Sequence, residues 1–157
     1  MKSNFERNAL SMPELSGCYQ KGLQALSKNK RFVKVENPKE LTGSIYLDGC
    51  TSIPNSAQFP RRWDYIFGYK SDVLALEVHT LSGANRAKEI VEKAAWLTNW
   101  MQKTGNPLQV NPKYFVVASG GSIDNSANKI LAQKGLISCG HILHVDLELE
   151  KLRKLGA

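Results

Sequence analysis

Asp64, Glu77 and His79 are the residues of this chain whose types and spacing suit chemistry. They lie in the stretch RRWDYIFGYKSDVLALEVHTLS, where two alternating segments, 62–68 and 73–80, flank the polar break Tyr69-Lys70-Ser71-Asp72. Alternation of this kind predicts an antiparallel hairpin. On its first strand Trp63, Tyr65 and Phe67 share one face, and Asp64 and Ile66 the other. On the second, Leu74, Leu76 and Val78 share one face, and Val73, Ala75, Glu77 and His79 the other. A turn centred on Lys70-Ser71 sets Asp64 opposite Glu77, with Cβ atoms roughly 4.5–5.5 Å apart.

Two carboxylates that close repel each other unless a cation or a proton sits between them. Mg²⁺ (or Mn²⁺) suits such a pair, because Mg²⁺ usually takes only one or two carboxylates from the protein and keeps several waters. His79, two residues after Glu77, would orient or deprotonate a water, or serve as a third ligand. A sheet with polar residues on a wet face is the plainer alternative. Asp is depleted in strands, so Asp64 amid large apolar neighbours favours the site.

The elements that must position these residues follow from the rest of the chain. Ser11, Pro13 and Glu14 have the spacing of a helix start, and Leu15, Cys18, Tyr19, Leu23 and Leu26 extend the pattern to about residue 28. Residues 32–35 alternate as a short edge strand, and 43–48 read as a strand ending at the turn dipeptide Asp48-Gly49. The stretch 50–60 is a loop. Residues 84–103 form the best helix in the sequence, with Ala87, Ile90, Val91, Ala94, Leu97 and Met101 buried and Arg86, Lys88, Glu89, Glu92 and Lys93 toward solvent; Gly105-Asn106-Pro107 ends it. Trp96 and Trp100 lie on its flank, as core or as a base-stacking or dimerisation surface. The run 114–119 is a buried strand, 123–134 a helix ended by Gly135, 141–145 a last strand and 147–155 a short final helix. The two histidines of that last strand, His141 and His144, fall on opposite faces and do not share a metal.

This order gives an α/β domain with a mixed central β-sheet flanked by helices. An acidic residue on one strand, a Glu-x-His element on the next and then a long helix resembles the PD-(D/E)XK nuclease superfamily. Its core runs helix, three-stranded meander, helix, strand. The resemblance implies a restriction-endonuclease-like sheet in the order α-β-β-β-α-β-α-β, with Asp64 and Glu77 as metal ligands. The family's lysine position holds His79 here. Either His79 takes over that role, or a lysine from another element does, Lys88 of the following helix being the candidate, or the chain is inactive. In some members a first-helix glutamate also reaches the metal, which keeps Glu14 in view beside its capping role. Asp48 is a further acidic residue at a strand end, explained more cheaply by its turn.

The 157 residues fit a single domain, with residues 1–10 as a candidate flexible arm. A net charge of +7 attracts polyanions. Lys28, Lys30, Arg31 and Lys34 form one basic cluster, and Arg61 and Arg62, beside the acidic pair, another suited to nucleic-acid backbone contacts. No apolar run is long enough to cross a membrane, and the N-terminus lacks the apolar core of a signal peptide. Cys18, Cys50 and Cys139 are odd in number and widely spaced, which fits reduced thiols in a cytoplasmic protein better than a disulfide framework or a zinc knuckle. Neither a dinucleotide-binding glycine motif nor a P-loop occurs.

The sequence therefore points to a Mg²⁺-dependent nuclease acting on DNA before RNA. Asp64 and Glu77 would hold the ion and His79 position the water. Lys88, or Arg61 or Arg62, would stabilise the developing charge. The alternatives are a nuclease-like module that binds nucleic acid or a protein without cutting, and a homodimer formed through the tryptophan face.

Overall fold

The computed structural model describes residues 4–106 and 108–156. The chain opens with α1 (Asn4–Ser11), α2 (Pro13–Ser16) and β1 (Tyr19–Gln20). A 3-10 segment (Gln24–Phe32), β2 (Val33–Lys34) and a 3-10 turn (Pro38–Glu40) follow. The core comes next: β3 (Leu41–Tyr46), β4 (Tyr65–Tyr69), β5 (Asp72–His79), α3 (Ala84–Lys103) and β6 (Lys113–Ala118). The chain ends with α4 (Asn125–Gln133), β7 (Ile137–Ser138), β8 (Leu143–His144) and α5 (Val145–Lys154). The main sheet has six strands in the order β1-β3-β4-β5-β6-β7. It is mixed: β3, β4 and β5 form an antiparallel meander, and α3 carries the chain over to β6, parallel to β5. The protein is thus α/β, with helices on both faces of a central sheet. Among the described residues no helix is long and apolar enough to cross a membrane.

The hairpin has the register its alternation dictates. Tyr65 pairs with Leu76 and Tyr69 with Asp72, leaving Lys70 and Ser71 as the turn. Lys70 takes a positive φ of 55°, and its N–H donates to Glu40 O at 2.9 Å. The two sheet faces bury separate clusters. Ile66, Val73 and Ala75 pack with α1, α3 and α4, whereas Tyr65, Phe67, Leu74 and Leu76 pack with the 3-10 segment and α5. Trp63 departs from the alternation. It lies before the first paired residue of β4 and packs with Ile66 rather than Tyr65, its ring edge-on to Tyr114 at 5.2 Å.

Elsewhere long-range packing overrides local pattern. The expected first helix to residue 28 breaks after Ser16, because Tyr19 and Gln20 pair with Ile45 and Ser44 of β3. Residues 4–10, expected as an arm, belong instead to α1, which buries Phe5 and Ala9. Gly68 permits that docking: a Cβ there would come within 2.9 Å of the Phe5 ring and 2.0 Å of Thr42 Oγ1. Gly43 likewise lies under the Tyr19 ring, where a Cβ would meet a ring carbon at 2.2 Å. The last strand does not extend the main sheet, since β8 pairs in parallel with β2 in a second, two-stranded sheet. The expected strand at 32–35 shrinks to β2, and Pro107 lies outside the described residues.

Cys18 and Cys50 are joined in a disulfide with Cα atoms 5.8 Å apart, correcting the expectation of reduced thiols. Their separation of 32 residues hid the pairing, which arises because the loop after β3 folds back on the end of α2. Persistent disulfides are rare in a reducing cytosol, so this bond weighs against the cytoplasmic expectation. Cys139 stays free, and burial pushes its thiol up to about 12.

Candidate metal and phosphate centre

Asp64 directly precedes β4, and Glu77 lies near the end of β5. Counting outward from the turn, the two are register partners, yet the ladder stops at Tyr65 and Leu76. Side chains replace its next rung. The Asp64 N–H donates to Glu77 Oε1 at 3.1 Å, and the Val78 N–H donates to Asp64 Oδ2 at 3.2 Å. Each carboxylate thereby has one oxygen bound to the partner strand and the other directed away from it. Asp64 O accepts from the Leu47 N–H at 2.7 Å, which ties the pair to the chain leaving β3.

The remaining oxygens converge on a cation. Lys93 of α3 donates through Nζ to Asp64 Oδ1 at 3.1 Å and also to Glu77 Oε2. The Glu77 side chain is fully buried, and those of Asp64 and Lys93 are only 14% and 13% exposed. Burial, then the Asp64 charge beside it, pushes the Glu77 carboxyl up to about 8 against the opposing pull of Lys93. Burial by itself would lower Lys93, but the carboxylates of Glu77 and Asp64 outweigh it and raise it. The result is a buried carboxylate pair closed by one ammonium, with a proton held at Glu77 near neutral pH.

Lys93 is the member of this buried cluster that the hydrophobic stripe of α3 misplaced toward solvent. A signal was present: Lys93, Trp96 and Trp100 are spaced for one helix face, and both tryptophans are buried, stacked at 6.0 Å. A lysine one turn before a buried aromatic points inward too. The same burial, 2% and 8% exposed, removes the tryptophan pair as an exposed stacking or dimerisation surface.

The other expected site residues lie apart from this triad or around its rim. His79 Nε2 is 3.4 Å from Glu89 Oε2, and its Nδ1 is 3.0 Å from Thr80 O. Glu89 also pairs with Arg61 at 3.5 Å and Arg86 at 3.4 Å, and Arg61 with Glu92 at 3.7 Å. His79 thus belongs to a surface ion network, and Lys88 is exposed one residue before Glu89 with no ion pair among the described residues. Arg62 is committed to the loop after β3. Its guanidinium donates to Leu47 O at 3.3 Å, Cys50 O at 2.8 Å, Ile53 O and Asn55 Oδ1, and lies 5.7 Å from the Trp96 ring. Glu14 contributes its carbonyl, which accepts from Ser52 Oγ at 2.8 Å, and no capping bond. Asp48 is exposed in the turn after β3.

Two carboxylate oxygens that already meet a cation together fit a divalent ion in kind, because hard oxygen donors suit Mg²⁺. Asp64 Oδ1 and Glu77 Oε2 would hold it, Lys93 moving aside. Among the described residues no group of three or more His, Cys, Asp and Glu side chains is arranged around a metal, so substrate and water would complete the shell. No protein-family model, curated protein or solved structure matches the chain.

Proposed function

We propose that this chain is a Mg²⁺-dependent nuclease of the PD-(D/E)XK type, acting on DNA in preference to RNA, in which Lys93 serves where the superfamily has its strand lysine. The observation that carries this reading is the convergence of Asp64 Oδ1 and Glu77 Oε2, from neighbouring strands, on the Lys93 ammonium. The meander β3-β4-β5, the helix α3 and the parallel strand β6 support it, being the succession expected of that core.

When bound, the metal would lower the pKa of a water and neutralise phosphate charge. The protein's own residues divide the remaining work. Asp64 and Glu77 present fixed oxygens, each anchored by a backbone N–H of the opposite strand. Glu77 must lose its proton before it can ligate, which favours alkaline pH. Lys93, freed from between the acids, remains within a side chain's reach of them and donates to the oxygen that gains charge as the phosphodiester is attacked. His79 is assigned no proton transfer, because its ring is engaged by Glu89 and Thr80.

A second reading, a nuclease-like module that binds without cutting, is favoured by the closed triad itself: Lys93 neutralises the acids with no metal. A nuclease assay in Mg²⁺ or Mn²⁺ decides. Cleavage by the wild type that is lost in Asp64→Asn, Glu77→Gln and Lys93→Met supports the first reading. Metal-dependent cleavage that survives these changes places any activity elsewhere, and salt-sensitive DNA binding without cleavage under any metal supports the second.

A further inference from the structure

The end of the sheet that carries Asp64 and Glu77 also carries, on its opposite face, an aromatic ring left partly exposed. Tyr46, the last residue of β3, is 41% exposed, the one large aromatic so exposed among the described residues. Its register partner is Tyr65, the neighbour of Asp64, with ring centroids 5.0 Å apart. The ring leans over Gly49, where a Cβ would come within 2.5 Å of it, so the turn after β3 fixes its position. Burial and the charges of Asp48 and Asp64 both raise the Tyr46 hydroxyl, which places the ring within electrostatic range of the acidic centre.

A basic segment adjoins this ring. The 3-10 segment is pinned to the same strands: the Ala25 N–H donates to Ser44 Oγ at 3.0 Å, and Asn29 Nδ2 donates to Tyr65 Oη at 2.8 Å. That second bond holds the segment that bears Lys28, Lys30 and Arg31 against Tyr65, with the Arg31 guanidinium 4.8 Å from the Phe32 ring. All three are exposed, and none has an acidic partner among the described residues. Most other basic groups around the acidic centre are spent: Lys93 on the acids, Arg61 and Arg86 on Glu89, and Arg62 on loop carbonyls.

We infer that this sheet end holds an unpaired DNA strand, one base stacked on the Tyr46 ring and the adjoining phosphates on Lys28, Lys30 and Arg31. An exposed ring face accepts a base only when that base has left its own stack, so the preferred DNA is single-stranded or splayed. Stacking of this kind is tolerant of sequence, and the phosphate contacts make it salt-sensitive. The inference rests on the nuclease reading for the placement of the scissile phosphate at Asp64 and Glu77, but its test does not require cleavage.

The experiment is fluorescence anisotropy in EDTA, with a labelled mixed-sequence DNA oligonucleotide offered as a single strand and as a blunt duplex. The wild type should bind the single strand more tightly. Tyr46→Leu keeps the apolar cover over Gly49 but removes the π face. It should weaken single-strand binding roughly tenfold, the order that one base–aromatic stack carries, while Tyr46→Phe binds as the wild type. The exposed triple change Lys28→Gln, Lys30→Gln and Arg31→Gln should reduce the slope of log affinity against log salt by about 2. Equal binding by Tyr46→Leu and wild type, tighter binding of the duplex, or an unchanged salt slope overturns the proposal. Binding as expected without cleavage in Mg²⁺ defeats the nuclease reading alone; cleavage of DNA with indifference to Tyr46 defeats this one alone.

Discussion

Replacing Lys93 with methionine leaves a packed stem but takes the only ammonium from between Asp64 and Glu77. Breaking a buried ion pair by removing one partner costs about 3–5 kcal/mol, because an uncompensated charge is left behind. A kilocalorie corresponds to about 2–4 °C of melting temperature for a chain of this size, so the variant should melt about 6–20 °C below the wild type at pH 8.5. The loss should shrink at pH 5.5. Without the opposing pull of Lys93 the Glu77 carboxyl is raised further, so it stays protonated and one buried charge disappears. Mg²⁺ should then stabilise the variant more than the wild type, since the ion need not displace an ammonium; saturation to a hundred times the dissociation constant returns about 2.7 kcal/mol. Thermal denaturation of both proteins at the two pH values, with and without Mg²⁺, reads all three effects. A variant as stable as the wild type at pH 8.5, or one whose deficit is the same at both pH values, refutes the buried triad.

The raised Glu77 carboxyl carries its own pH signature. The folded state keeps a proton between the usual 4.5 and about 8 that the unfolded chain has released, so the contribution of this group to stability is full below 4.5 and is lost as pH rises to 8, by at most about 5 kcal/mol. Lys93 adds no slope in that window, being protonated in both states, and Glu77→Gln should flatten it in denaturant titrations. Arg62→Met should cost about 1–3 kcal/mol by taking the donor from Ile53 O, Leu47 O and Cys50 O keeping the backbone N–H groups of Cys50 and Ile53, read as a lower denaturation midpoint. Reducing the Cys18–Cys50 bond releases a loop that spans 32 residues and should cost ~3–4 kcal/mol on loop-entropy grounds, visible as a fall in melting temperature with reductant that Cys18→Ser does not show. His79→Ala should lower any cleavage rate less than tenfold, whereas a general base would cost about 10²–10⁴-fold.

The central hairpin was legible because alternation and a polar break fix both faces and register. The same arithmetic that places Tyr65 opposite Leu76 places Asp64 beside Glu77. β6 was legible as a continuous apolar run, and α4 as a segment that Asp124 caps and Gly135 ends. What escaped depended on contacts distant in sequence. α1 is short and gains its stability from Phe5 packing over Gly68; β1 exists only because β3 lies beside it; and the disulfide joins segments 32 residues apart. Lys93 escaped for another reason. Lysine is read as solvated by default, and only its alignment with two buried tryptophans argued otherwise. His79 was drawn to the site by alternation and by its place two residues after Glu77, and Glu89, one turn before Lys93, holds it outside.

The most direct test is an anomalous difference map from a crystal of the protein soaked in Mn²⁺. A single peak between Asp64 Oδ1 and Glu77 Oε2, with Lys93 Nζ displaced from both, is the predicted result. An ammonium still bridging the two carboxylates, with no peak beside them at a saturating metal concentration, would contradict it.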